Sequence, residues 1–166
     1  MKKETRTECG KRARATTGKY RFDEVGIPVV IDKIPLVKCG HCGNVDPVIP
    51  NLNALINGIA FSVISRCSHL TGAEVRFLRK YLGLPASEFA RLIDVDRTTL
   101  SKWDNAHQDI GAQSDRLIRL LVASKSKELR KKIERVMENY RELTDSEAPR
   151  TQYLRIDPFT MEYQYA

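Results

Sequence analysis

Residues 84–104 hold two stretches, each long enough for about two turns of helix, separated by the polar run Asp94-Val95-Asp96. Neither is stable alone, because isolated helices shorter than about 12–15 residues are marginal in water. They must therefore pack on neighbours, and their apolar positions say how. Phe89, Ala90, Ile93, Val95, Leu100 and Trp103 can close a core, with Ala90 letting the two helices approach. Pro85 suits a first helical position and Asp96 suits a cap, which predicts helices over residues 85–93 and 97–103. Arg97, Thr98, Thr99, Ser101 and Lys102 are left facing outward. Two short helices joined by a tight turn, the second bearing small polar and basic residues, have the geometry that fits a helix into the major groove of DNA. Arginine and lysine pair with guanine O6 and N7, and the hydroxyls serve base edges or phosphates. A helical bundle with an ordinary solvated face is the competing reading.

Upstream, Thr71-Gly72-Ala73-Glu74 has the spacing of a capping box, with Leu70 and Val75 placed to staple across it. Val75, Leu78 and Leu82 continue at helical spacing until Gly83 stops the helix, so a domain boundary is expected near residues 68–70. Downstream, residues 114–123 and 127–143 are periodic as helices, the second with Leu129, Ile133, Val136, Met137 and Tyr140 on one face. Residues 70–143 are expected to form one helical domain. Residues 144–166 form a tail in which Phe159, Met161, Tyr163 and Tyr165 alternate with polar residues, the period of a half-buried strand; a frayed end is the other expectation.

The first 69 residues differ in kind. Residues 1–17 are basic and polar and are expected to be loosely ordered apart from Cys9 and Gly10. Residues 19–25 and 28–37 are rich in β-branched and aromatic side chains with Gly26 between them, which predicts a pair of short strands. Cys39 and Cys42 stand three apart, and Gly43 lets the backbone turn so that amides can donate to a metal-bound sulfur. Residues 52–64 have helical length and are apolar, although Asn53, Asn57 and Gly58 weaken the helix. The expected fold class is mainly α with a small α+β N-terminal part.

Lysine and arginine number 28 against 21 acids, a formal net charge of +7 with a pI near 9.3. That excess favours a polyanionic partner through counterion release, although a merely basic soluble protein has it too. No stretch approaches the roughly 18 uninterrupted apolar residues of a membrane span, and the polar N-terminus has no apolar segment behind it, so a cytoplasmic protein without a membrane partner is expected. In a reducing compartment four cysteines speak for metal or packing before disulfides. His41, His69 and His107 have no catalytic spacing, and a Gly-rich phosphate loop and a nucleophile elbow are both lacking; an enzyme is not expected.

Residues 84–104 resemble the Xre (lambda-repressor-like) helix-turn-helix, with Ala90, Ile93, Val95, Ser101, Lys102, Trp103 and Asp104 on the family's recurring positions. Pro85 stands where that family has a capping hydroxyl, and Asp94 stands at its turn glycine. With the cysteines upstream, the layout is similar to that of the MqsA-type antitoxins, which carry a YgiT-type zinc-binding N-terminal domain. The resemblance implies a zinc-ribbon-like unit over residues 1–69 and an Xre-type DNA-binding domain over residues 70–143. It implies a homodimer that represses its own operon by binding an inverted-repeat operator, and a toxin protein as partner. The family's recognition asparagine and arginine fall on Thr98 and Lys102. Its second cysteine pair is represented only by Cys9, with Arg6 at the other place, so Cys9, Cys39 and Cys42 are the candidate zinc ligands and no fourth is evident. Zinc completed by water or His41, a metal-free knuckle and a disulfide all stay open. Two rival functions share these residues: a phage or mobile-element repressor without a toxin, and a toxin-neutralising module with little need of DNA.

Overall fold

The computed structural model describes residues 9–125 and 153–165, which fall in two compact units: one within residues 1–22, 28–55 and 153–166, the other within residues 23–27 and 56–152. The first is built on a five-stranded mixed sheet and the second on helices.

In the sheet unit, β1 (Ala13–Arg21) pairs antiparallel with β2 (Val29–Cys39), in register from Ala13 opposite Cys39 to Arg21 opposite Val30. The expected first strand is thus displaced toward the N-terminus, and residues 13–17 are ordered where a loose segment was expected. Their own side chains are mostly exposed; pairing with β2 is what fixes them. Residues 23–25, which fall in the helical unit, form a short 3-10 helix instead of strand, closed by the Gly26 amide donating to the Asp23 carbonyl. Along β2, Val29 and Ile31, then Ile34 and Leu36, are buried. The two-residue alternation slips at Asp32 and Lys33, where a bulge puts Lys33 at φ +54.

β3 (Val45–Pro47) runs antiparallel to β2 over Leu36, Val37 and Lys38. β4 (Leu154–Ile156) runs parallel to it, with Leu154 beside Val29 and Ile156 beside Ile31, and β5 (Tyr163–Tyr165) closes antiparallel on β4. Residues 153–165 are therefore part of the sheet rather than a separate tail. Only the end of the alternating stretch is strand, because Asp157 Oδ1 accepts the amides of Phe159 and Thr160 and holds residues 158–160 in a turn.

The helices are α1 (Leu52–Ser65), α2 (Gly72–Tyr81), α3 (Ala86–Leu92), α4 (Arg97–Asp104) and α5 (Ala112–Lys125). The expected helix over 127–143 lies outside the described residues. Helix α1 forms despite its asparagines: Asn57 Oδ1 accepts the Tyr81 hydroxyl at 2.8 Å, and Ile59, Ala60, Phe61, Val63 and Ile64 are buried. The capping box at α2 is closed in both directions: Thr71 Oγ1 accepts the Glu74 amide at 3.3 Å, and Glu74 Oε2 accepts the Thr71 amide at 2.7 Å. A Cβ at Gly72 would collide with the Trp103 carbonyl, so the first turn of α2 requires glycine to approach the end of α4.

The expected boundary at residues 69–70 lies inside this unit. From α5, Arg119 donates to the carbonyls of Ile64 at 3.2 Å, Ser68 at 2.7 Å and Arg66, and Asp115 Oδ2 accepts the Leu70 amide at 2.6 Å. Asp115 and Arg119 are both wholly buried and paired at 2.5 Å. Among the described residues no helix is long and apolar enough to cross a membrane.

Candidate nucleic-acid helix and cysteine cluster

Helix α4 has two faces. Leu100 and Trp103 are 1% and 3% exposed and join Phe89, Ala90 and Ile93 in the core, with α4 packed against α2 and α3. Arg97, Thr98, Ser101 and Lys102 are exposed, and Thr99 is half-buried. Val95, expected inward, is also only half-buried. The turn before α4 runs through Asp94 at φ +54, a left-handed conformation that aspartate tolerates in place of glycine.

Two local expectations need correction. Pro85 is the N-cap of α3, with ψ 155 in the extended region, and not its first helical residue. It offers no side-chain hydrogen bond there. Asp96 does occupy the N-cap of α4, but its side chain accepts no capping bond, so it does not close off the first-turn amides of that helix. The other end of α4 is fixed from α2: an Arg76 Nη donates to the Asp104 carbonyl, and Arg76 Nε lies 3.6 Å from Asp104 Oδ1. Sequence reasoning missed this tie, and it missed the Asp115–Arg119 pair. An acid and a base four apart within the apolar run of α5 were the available signal for the second.

The cysteines come from opposite ends of the β1–β2 hairpin segment and the turn beyond it. Cys39 closes β2 opposite Ala13, and its amide donates to the Asn44 carbonyl at 2.9 Å. Gly43, at φ +77, turns the chain so that its own amide donates to the Cys39 carbonyl. This brings Cys42 back beside Cys39. The thiols of Cys9, Cys39 and Cys42 all lie within 4.8 Å of one another, with Cys9 and Cys39 Sγ 3.4 Å apart, and the His41 amide donates to Cys39 Sγ at 3.4 Å. Sulfurs sharing a tetrahedral zinc at about 2.3 Å stand roughly 3.8 Å apart, so the trio is close enough to bind a metal ion. Cys39 is 1% exposed, whereas Cys9 and Cys42 are open to solvent. The Asn44 amide favours the Cys42 thiolate, but hydrogen bonds shared with the Cys39 and Cys9 thiols outweigh it and hold the Cys42 thiol above its usual range. Such crowding of thiols is what a cation would relieve. His41 contributes its backbone amide, and the cluster among the described residues comprises the three cysteines.

No protein-family model, curated protein or solved structure matches the chain.

Proposed function

We propose that the chain is a sequence-specific DNA-binding transcriptional regulator that reads the major groove with α4. The observation that carries the reading is the division of α4: Leu100 and Trp103 anchor it, while Arg97, Thr98, Ser101 and Lys102 are exposed on the other side. In this reading α2 to α5 form an Xre-type domain, which binds as a homodimer to an inverted-repeat operator of its own operon, as an antitoxin with a toxin partner does. Cys9, Cys39 and Cys42 would hold zinc, which would cross-link a zinc-ribbon-like segment; the fourth position would go to water or His41.

Footprinting the DNA upstream of the gene locates the operator. Replacing Lys102 by alanine is then expected to cost about 1–3 kcal/mol in operator binding, with relaxed preference at one base pair. Trp103→Ala should lower the melting temperature as well as binding, since Trp103 is buried. If Thr98→Ala and Lys102→Ala both fold and both keep wild-type affinity and sequence preference, α4 is not the reading helix.

A further inference from the structure

The β1–β2 ribbon carries a second concentration of positive charge, far in sequence from α4. Lys11, Arg12, Arg14, Lys19 and Arg21 are exposed on or just before β1, and Lys33 and Lys38 on β2. Some have ordinary explanations. Lys19 lies 3.5 Å from Asp32, Arg21 stacks 5.5 Å from the centroid of the Tyr153 ring, and Lys33 faces the Asp157 carboxylate. Arg14 and Lys38 do not fit that pattern. They are direct cross-strand partners, so their side chains rise from the same face, and neither has an acidic partner among the described residues. Like charges directly opposite destabilise a sheet.

Edge protection explains a charged residue on β1, which is the outer strand, because charge blocks unwanted strand addition. It does not explain Lys38. β2 is paired on both sides at this point, with Arg14 on one and Val45 on the other, so it has no edge there to protect. An anion lying over the pair would turn this repulsion into attraction. We infer that this end of the ribbon, centred on Arg14 and Lys38 with Lys11 and Arg12 beside them, binds the phosphate backbone of duplex DNA without reading sequence. Phosphate is favoured because the patch is a row of cations with the exposed Thr16 on the same face of β1, and β1 and β2 carry no large exposed apolar residue to anchor a protein partner. The contact is independent of α4, and it would add affinity equally on every sequence.

The test uses the full chain and a labelled random-sequence duplex, which needs no operator. Arg14→Gln/Lys38→Gln should weaken binding, and the slope of log affinity against log salt should shrink by about 1.8 units for two lost phosphate contacts. Its melting temperature should hold or rise, because a repulsive pair has been removed. Arg14→Gln alone should give about half the change in slope. Lys19→Gln/Lys33→Gln, equal in charge and on the same ribbon, should leave the slope unchanged. An unchanged slope in the folded Arg14/Lys38 variant overturns the inference. So does an equal loss in the Lys19/Lys33 control, which would mean bulk charge alone. A variant that loses binding to polyglutamate but not to DNA also overturns it, in favour of an acidic protein partner. A wild-type operator preference that depends on Lys102, with no slope change at Arg14 and Lys38, would leave the reading helix standing and remove only the ribbon.

Discussion

Each unit of the chain gathers polar groups from distant parts of the sequence, and the two gatherings end differently. In the helical unit, Asp115 and Arg119 are wholly buried, and their charges meet a full set of partners: each other, the Leu70 amide and the carbonyls of Ile64, Arg66 and Ser68. In the sheet unit, three thiols converge within 4.8 Å, bonding to one another and to the backbone amides of His41 and Asn44. The first cluster is complete with the protein's own groups. The second has the chemistry of a set of ligands. Buried charge is tolerated only when every group is matched, so completeness marks a structural role, whereas a crowded, part-exposed thiol set points outward to something it can hold.

Breaking the complete cluster should have the larger effect. Arg119→Ala takes from Asp115 its buried guanidinium, leaving it the Leu70 amide and His69 Nδ1 at 3.5 Å, and is expected to cost about 3–5 kcal/mol in urea unfolding. By the same reasoning, a fragment beginning at Leu70 should lose its cooperative melt, whereas one beginning at Ile56 keeps the three carbonyl acceptors and should melt cooperatively. Equal melts of the two fragments would show that Arg119 does not hold the α1–α2 connection to α5.

The cysteine cluster should respond to a reagent that the charge pair ignores. Metal analysis is expected to find about one zinc per chain, and a chelator should lower the melting temperature of the wild type and should act equally on Arg119→Ala, which keeps all three cysteines. Cys39→Ser should cost about 1–3 kcal/mol from burying a hydroxyl in the place of a thiol, and it should abolish the chelator effect. Substoichiometric metal with no chelator effect would make the trio a packing cluster and erase the contrast between the units.

The smallest expected effect belongs to the β4–β5 turn. Two backbone amides, from Phe159 and Thr160, hold the Asp157 carboxyl below its usual 3.8. A carboxylate with a depressed folded-state pKa adds stability that is present above about pH 4 and is lost as pH falls through the folded value. Asp157→Ala should therefore be less stable than wild type at pH 7, and the gap should narrow below pH 4. A gap that is constant from pH 7 to pH 3 would assign the effect to the turn backbone and not to the charge.

What could be read from the sequence was local. The Thr71 capping box, the Asp94 turn, the two faces of α4 and the Cys39–Cys42 spacing each depend on residues within a turn or two of one another, and side-chain chemistry at that range is decided by spacing. Pairings across the chain were not legible. Residues 13–17 carry almost nothing apolar, so their order comes from β2 and leaves no periodic mark of its own. The carbonyls that Arg119 caps lie 51 to 55 residues upstream, beyond the range at which spacing can indicate a partner. Arg14 and Lys38 become a repulsive pair only once the hairpin register sets them opposite each other.

The parallel pairing of β4 with β2 also has a consequence for biosynthesis. Val29 and Ile31 leave the ribosome well before Leu154 and Ile156, with residues 56–152 of the helical unit made in between. During that interval the apolar end of β2 has one flank bare, an invitation to stray strand addition. A product that stops before residue 153 keeps that bare flank for its lifetime, which would make translation to the last strands a condition for escaping proteolysis and aggregation, whatever the state of the helices.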